Sequence, residues 1–533
     1  MKRIFLFAVF TCFLLSPLYS ETLQEYKARQ AKAEKEFKKD QEKKLKNFKK
    51  DQAQKKKKFE QEQLENYKKY NKKKTKKQKE YDSYRHSTNE NFAETMKKKW
   101  KNRIKNAAVP IPESKEPPKP YIKNDDKRTP AVKLGYTKVV NAASYEYPEP
   151  ITPIDVGFSQ SAIPSDFEQQ YNFVYHGTTC RARFFDSMRF SLPDVSETSV
   201  AEVWKKLSSE EFDLLLADCF DLKEKLRLGD WGYIDIMRVM SEHFLGKGSN
   251  EAVLLQMYVL AQSGYKVRIA KTGDRLVLLV PFVTDLFSYS FFILDDGNSY
   301  YILDKEISNN QNRSYKIYEE SFPREKTASL KMPGTPILVQ EKGVDKVFQS
   351  RRYQDTFAEV VTNKNLIDFY NDYPVTVNGN WDDYVRTSLS EGIKNTLYPA
   401  LRAQISGKSN LDAVNILMNF VQTAFQYMTD QEQFGYERPL FGDETFYYPY
   451  SDCEDRSILF AILVRELVGL DVVLLHYPSH LATAVNFGDE DVYGSYFNVD
   501  GKKYVVSDPT YIGAPVGECM TQFQNSVAEI IKL

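Results

Sequence analysis

The 533-residue sequence predicts an α+β body preceded by a long helical arm. Three observations predict it. Aromatic residues recur every eleven positions from Tyr26 to Phe92, in a Lys-rich stretch without proline or glycine. Nine prolines then punctuate residues 109–153. Beyond them, an apolar helix followed by short strands occurs twice, over 246–305 and again from Cys453 to Asp508.

The first twenty residues read as an export signal. Met1-Lys2-Arg3 is basic, Ile4 to Leu15 is apolar apart from Thr11, and Ser16 to Ser20 is a polar, helix-breaking exit. That apolar run is too short to span a bilayer, which takes roughly 20 residues. An exported protein is expected, periplasmic, envelope-associated or secreted. Removal of the signal takes Cys12 with it and leaves Cys180, Cys219, Cys453 and Cys519. Four cysteines in so long a chain make no disulfide scaffold, and their spacing does not suggest zinc. With Cys453 free, at most one bridge can form among Cys180, Cys219 and Cys519.

Residues 21–108 form the predicted arm. Tyr26, Phe37, Phe48, Phe59, Tyr70, Tyr81 and Phe92 keep an eleven-residue period, which is three helical turns and places them on one slowly drifting stripe. One continuous helix is expected. Between residues 21 and 105 there are 30 Lys and Arg against 14 Asp and Glu. The whole chain is +1 and the first twenty residues are +2, so residues 106–533 carry −17. A basic arm on an acidic body implies that the arm has its own surroundings. A solvated spacer, a binder of an anionic membrane surface or wall polymer, and an oligomerisation helix all fit; the apolar content is thin for a coiled-coil seam. Charge alone would also suit nucleic acid, but export and the lack of a binding motif argue against it.

Residues 109–153 are expected to be an extended, Pro-rich linker. From 154 to 305 the pattern gives strands near Tyr171 to Phe190, turning at His176-Gly177, and then helices from Ser196 to Phe244. Residues 306–388 read as a mixed, strand-rich connection. In 389–533, Leu411, Val414, Leu417, Met418, Val421 and Phe425 line one helix face.

The chemistry concentrates after that helix. A Pro449 turn leads to Asp452-Cys453-Glu454-Asp455-Arg456-Ser457 and then to an apolar helix ending at Gly469. A cysteine at a helix N-terminus faces unpaired N–H groups and a positive dipole end, which favour a thiolate. Asp452, Glu454 and Asp455 act in the opposite direction by crowding it with negative charge. His480 opens a strand, and Lys503 to Ser507 forms another that delivers Asp508-Pro509-Thr510. A thiol nucleophile needs a base, and the base needs a carboxylate to orient it. His476 is the rival base at a strand end, and Asp500 a weaker carboxylate.

These residues, in this order, resemble the transglutaminase-like superfamily, over about residues 410–515. The resemblance implies a papain-like α+β core of the kind found in exported bacterial cysteine hydrolases. Cys453 would be the nucleophile, His480 the base and Asp508 its orienting carboxylate. Oxyanion donors would be the Cys453 N–H and an upstream side chain such as Tyr447. No cofactor is required. A subgroup with a similar acidic-Cys-acidic motif binds calcium there, which makes Asp452 and Glu454 the expected cation ligands; the plainer expectation is an ion pair with Arg456.

The 246–305 segment mirrors this unit. Eleven residues past Gly264 stands Arg275, as His480 stands eleven past Gly469, and Tyr300 to Asp304 mirrors Tyr504 to Asp508. Counting back without a gap puts Gly248 at the cysteine position, so a duplicated core with a degenerate first copy is expected. The expected activity is attack on a peptide or amide carbonyl through a Cys453 thioester resolved by water. Resolution by an amine would give a cross-linking acyltransferase. The alternative from another class is a non-catalytic envelope adaptor.

Overall fold

The computed structural model describes residues 22–141, 145–154, 168–309, 314–376 and 380–533. The expected leader lies outside them. Among the described residues no helix is long and apolar enough to cross a membrane.

The arm is two helices, α1 (Leu23–Lys73) and α2 (Lys76–Met96), followed by strand β1 (Trp100–Ile104). This corrects the expectation of a single helix. The break needs neither proline nor glycine, because Thr75 starts α2 with a capping box. Its hydroxyl accepts from Gln78 N–H, and Gln78 Oε1 accepts from Thr75 N–H at 2.9 Å. In α1, Tyr26, Phe37 and Phe48 are exposed, and i,i+4 pairs such as Lys38–Glu34 (2.6 Å) and Lys44–Asp40 (2.8 Å) line the surface.

Of the described residues, those in 70–154 and 169–533 form one compact unit, and 22–69 belong to another. Within the larger unit, α2 is bound into the core. Phe92 packs at a tilt on Trp204 (4.8 Å between centroids), Arg85 pairs with Asp213 at 2.8 Å, and Asn89 bonds both Gln262 and the Trp204 indole. The last aromatic of the repeat is thus a core residue.

The Pro-rich segment carries β2 (Tyr136–Val140), and the hairpin β3 (Asn172–Tyr175) and β4 (Thr178–Arg181) follows. Its turn is at His176-Gly177, both at positive φ. Helices α3 (Glu197–Leu207), α4 (Asp213–Lys225), α5 (Asp230–Leu245) and α6 (Asn250–Gln262) precede β5 (Arg268–Thr272), β6 (Arg275–Pro281), β7 (Phe291–Ile293) and β8 (Ser299–Ile302). The short α7 (Lys305–Ser308) leads to β9 (Ser314–Tyr318). A hairpin, β10 (Lys342–Gln349) and β11 (Phe357–Asn363), is followed by α8 (Lys364–Asp372), α9 (Trp381–Arg386), α10 (Glu391–Ile405) and α11 (Asn410–Ala424), of which α8, α10 and α11 pack against it. After β12 (Gln426–Tyr427), α12 (Asp430–Gln433), α13 (Gly442–Tyr447) and β13 (Tyr450–Ser451) comes α14 (Cys453–Leu463). The chain ends in β14 (Val472–Tyr477), β15 (His480–Val485), β16 (Tyr496–Val499), β17 (Lys502–Val506) and β18 (Ala528–Lys532).

Two six-stranded sheets result, and they share one strand order. The first runs β7-β8-β6-β5-β9-β1 and the second β16-β17-β15-β14-β18-β2. In each, a helix packs on the central hairpin, α6 on β6 and α14 on β15. Each also draws its last strand from the N-terminal segment, β1 antiparallel to β9 and β2 parallel to β18. The sheets therefore cross the composition boundaries at 108, 153 and 305, because a sheet edge is completed by whatever backbone can pair with it. The second sheet buries Val473, Leu475, Ala482, Ala484 and Phe497 on one face, and the first buries Ala270, Val277, Leu279 and Phe292. Both helices reach a left-handed glycine, Gly264 (φ +86°) and Gly469 (φ +79°), which ends the turn without a Cβ clash.

Candidate active site

Helix α14 opens on Cys453 with Asp452 as its N-cap, and the residue is fully buried. One turn later Ser457 donates to Leu481 O at 2.9 Å, while Leu481 N–H donates to Cys453 Sγ at 3.3 Å. The helix thus grips β15 by both backbone groups of the residue that follows His480. The thiol also donates to Glu454 Oε2 at 3.2 Å.

His480 is 2% exposed and bonds Asp508 Oδ2 through Nε2 at 2.8 Å. Its ring lies flat on Phe523 (5.2 Å, 4° between planes) and meets Tyr121 edge-on at 6.0 Å. The other carboxylate oxygen of Asp508 accepts from Thr510 N–H and Tyr511 N–H, so the carboxyl group is held at both ends. Because a carboxylate only accepts, Nε2 is the donor in this pair; Nδ1 is buried and, among the described residues, has no hydrogen-bond partner. Gln422 on α11 braces the 508–514 loop, its amide nitrogen reaching the carbonyls of Asp508 (3.1 Å), Tyr511 (2.8 Å) and Ala514 (3.1 Å). His476 pairs with Leu481 and projects from the opposite sheet face to His480, against Trp381 at 4.7 Å.

Three expectations are corrected here. The thiol is not held as a thiolate: burial first, then Asp452 and Glu116, push its pKa well above the ordinary range. The helix N-terminus is outweighed by desolvation and by the carboxylates around it. The second correction concerns Tyr447, whose ring packs edge-on against Tyr448 (5.2 Å) and makes no hydrogen bond to Cys453 among the described residues. The tyrosine that senses the site is Tyr427. Burial, then the charges of Cys453, Asp452, Glu454 and Glu116, raise its pKa, and its hydroxyl donates to Pro117 O at 2.8 Å. Its place on β12, paired with the strand just before Cys453, had no motif to mark it.

Arg456 is the third. Among the described residues it forms no ion pair with Asp452 or Glu454; it bonds the carbonyls of Gln422 and Phe425 and lies 5.3 Å over the Tyr427 ring. Burial lowers its pKa to about 10. The acids are left to repel one another. Asp430, Asp452 and Asp455 bring oxygens within 4.8 Å of one another, as do Asp430, Glu437 and Glu454. Burial, reinforced by the neighbouring acids, raises Asp452, Glu454 and Asp430 well above the usual range and Glu437 to about 6. Among the described residues, the buried Asp452 Oδ1 and Glu454 Oε1 have no hydrogen-bond partner. Asp430 is common to the two groups, with Asp452 and Asp455 beside it in one and Glu437 and Glu454 in the other, so these are the oxygens that could hold a hard cation.

The first sheet repeats these positions with different residues, and the helix starts shift the expected register. Asn250, not Gly248, stands first in α6, and its Oδ1 accepts from Leu276 N–H at 2.8 Å. The ungapped count from the glycines failed because α14 continues into a π turn, Val464–Val468, that lengthens the second helix. Arg275 opens β6, as His480 opens β15. Asp304 accepts from the N–H groups two and three residues on, as Asp508 does. All four described cysteines are free and buried, so no bridge joins Cys180, Cys219 and Cys519.

A cleft of about 620 Å³ opens beside the site, lined among others by Glu116, Trp381, Glu437, Glu454 and His480. In comparisons with family models, curated proteins and solved structures, nothing matches this chain.

Proposed function

We propose that this is an exported cysteine hydrolase of the transglutaminase-like type, acting on a peptide or amide carbonyl. The observation that carries the reading is the His480 Nε2–Asp508 pair, which leaves Nδ1 unpaired while the next residue's N–H touches the Cys453 thiol. Nδ1 takes the thiol proton as sulfur attacks the carbonyl carbon. The Cys453 N–H and the Tyr427 hydroxyl are the donors for the oxyanion. Collapse expels the amine, which takes the proton back from His480, and water then cleaves the thioester by the same route. A raised thiol pKa suits a thiol–imidazole pair that is charged only during reaction.

Calcium is proposed at Asp452 and Glu454, where it would lower the repulsion around the helix start. The shared strand order, with Asn250 and Arg275 at the nucleophile and base positions, supports reading the body as a duplicated papain-like core with a silent first copy. The test is iodoacetamide alkylation of Cys453 in the full chain and its His480→Ala variant. A rate that drops on loss of the imidazole is expected. A rate indifferent to His480 leaves an inert thiol and favours an envelope adaptor.

A further inference from the structure

The Pro-rich segment is no free tether where it meets the second sheet. Glu437 N–H donates to Pro112 O (3.3 Å), and Tyr427 Oη donates to Pro117 O (2.8 Å). Lys123 N–H donates to Ile512 O (2.9 Å), and Ile512 N–H donates to Tyr121 O (2.8 Å). Between these anchors the inward side chains meet the candidate triad. The Tyr121 ring covers the His480 imidazole edge-on, and a Glu116 oxygen lies within 4.8 Å of Cys453 Sγ and of a Glu454 oxygen.

We infer that residues 112–123 occupy the substrate track of the Cys453 cleft, so that the full chain is self-occluded and its substrate is an extended polypeptide that takes the segment's place. This rests on the hydrolase reading above. The segment behaves as a bound peptide would. Its backbone is irregular, with bends at Glu116, Pro118 and Lys119, and the receiving surface holds it at four carbonyl and N–H groups of a kind that any peptide carries. The Tyr427 hydroxyl, proposed above as an oxyanion donor, holds one of its carbonyls. With the segment in place, Cys453 is 0% and His480 2% exposed, so no carbonyl from outside reaches sulfur.

The occlusion is built to be reversible. Pro112, Lys115, Pro118, Lys119 and Ile122 face solvent, so the segment buries little apolar surface. Glu116 also sets a carboxylate against an already acidic cluster, which weakens its own hold. Downstream, residues 124–128 are all exposed, which makes them a place where a protease could cut.

The test uses the full chain with a specific protease site placed at Asp125-Asp126, compared before and after cutting. Cutting is expected to raise Cys453 alkylation by about tenfold or more, the factor expected when the open state is a tenth or less of the population. A synthetic peptide of residues 110–125, added to the cut chain, is expected to restore protection. Equal alkylation in cut and uncut chains, or a peptide without effect, overturns the proposal. Glu116→Ala in the uncut chain is the second handle should cutting unfold the body. It removes the side chain against the thiol, and labelling several-fold faster is expected; an unchanged rate overturns the proposal. His480→Ala separates the two readings. If cutting exposes a thiol indifferent to His480, the occlusion stands and the hydrolase falls. If the uncut chain already labels rapidly and needs His480, the hydrolase stands and the occlusion falls.

Discussion

Asn250 and Cys453 receive the same hydrogen bond in two different sheets. Leu276 N–H reaches Asn250 Oδ1 at 2.8 Å, and Leu481 N–H reaches Cys453 Sγ at 3.3 Å. In the first unit the amide also donates, from Nδ2 to Asp274 O at 2.8 Å, so Asn250 ties its helix to the β5–β6 turn. A structural role is therefore expected where the second unit holds a thiol. Asn250→Ala is expected to destabilise the fold by about 1–2 kcal/mol, from two lost hydrogen bonds, with the Cys453 alkylation rate unchanged. Urea unfolding alongside labelling measures both.

Asp508 has two jobs that two substitutions separate. Its Oδ2 orients His480, and its Oδ1 ties down Thr510 and Tyr511. Asp508→Asn can keep the turn through one oxygen but presents the imidazole with an amide, which no longer fixes the Nε2–H tautomer. Asp508→Ala loses both. Both variants are expected to slow His480-dependent alkylation by about tenfold or more, and only the alanine to lower the melting temperature, by about 1–2 °C, as about 1–2 kcal/mol implies for a unit of this size.

Much of the site could be read from local pattern because its parts open regular elements. Cys453 begins a helix, His480 begins a strand, and Asp508 stands just beyond another, so turn and period signals located each. Tyr427 and Gln422 could not be found this way. Both act across the fold, one beside the thiol and one on the 508–514 loop, and nothing in their neighbours announces it. The prolines of 109–135 correctly forbade helix but were silent on whether the extended chain was solvated or seated. The Thr75-to-Gln78 capping box was legible and would have divided the arm, whose unbroken eleven-residue period masked it.

Tyr427→Phe keeps the ring beneath Arg456 and deletes only the hydroxyl that holds Pro117. Two opposite effects are expected in one variant. The segment over the cleft loosens, so alkylation of Cys453 quickens, while hydrolysis of a peptide substrate falls about 10²–10³-fold for want of an oxyanion donor. A variant that gained or lost both together would place Tyr427 in packing alone.

The acids around Cys453 carry a cation prediction with a definite sign. Burial raises Asp452 and Glu454, so both favour the protonated form in the folded chain; a cation favours the ionised form and must displace protons. Calcium binding is therefore expected to strengthen as pH rises from 5 to 8 and to raise the melting temperature more at the higher pH. Asp452→Asn with Glu454→Gln removes two buried ionisable groups and is expected to stabilise the calcium-free protein at pH 8 while abolishing the calcium-dependent shift. Scanning calorimetry with calcium or with chelator reads both.

Asp383 carries a separate pH dependence away from the site. It lies in α9, buried; among the described residues Oδ1 has no hydrogen-bond partner, and its ion pair with Lys331 Nζ is long at 4.0 Å. Burial and then the Asp382 charge raise its pKa to about 7 from 3.8. A carboxyl whose folded pKa is raised adds stability below its unfolded pKa, and that contribution is lost as pH climbs through the folded one. The chain is therefore expected to lose stability between about pH 4 and 7, by on the order of 2 kcal/mol from this group once solvent relaxation is allowed for. Asp383→Asn removes the ionisation without changing the shape. It is expected to flatten that slope and to leave the variant more stable than the parent at pH 8, with little difference at pH 4. Denaturant midpoints at the two pH values decide it: a variant weaker than the parent at pH 8 means that Lys331 compensates the ionised carboxylate more fully than its distance implies.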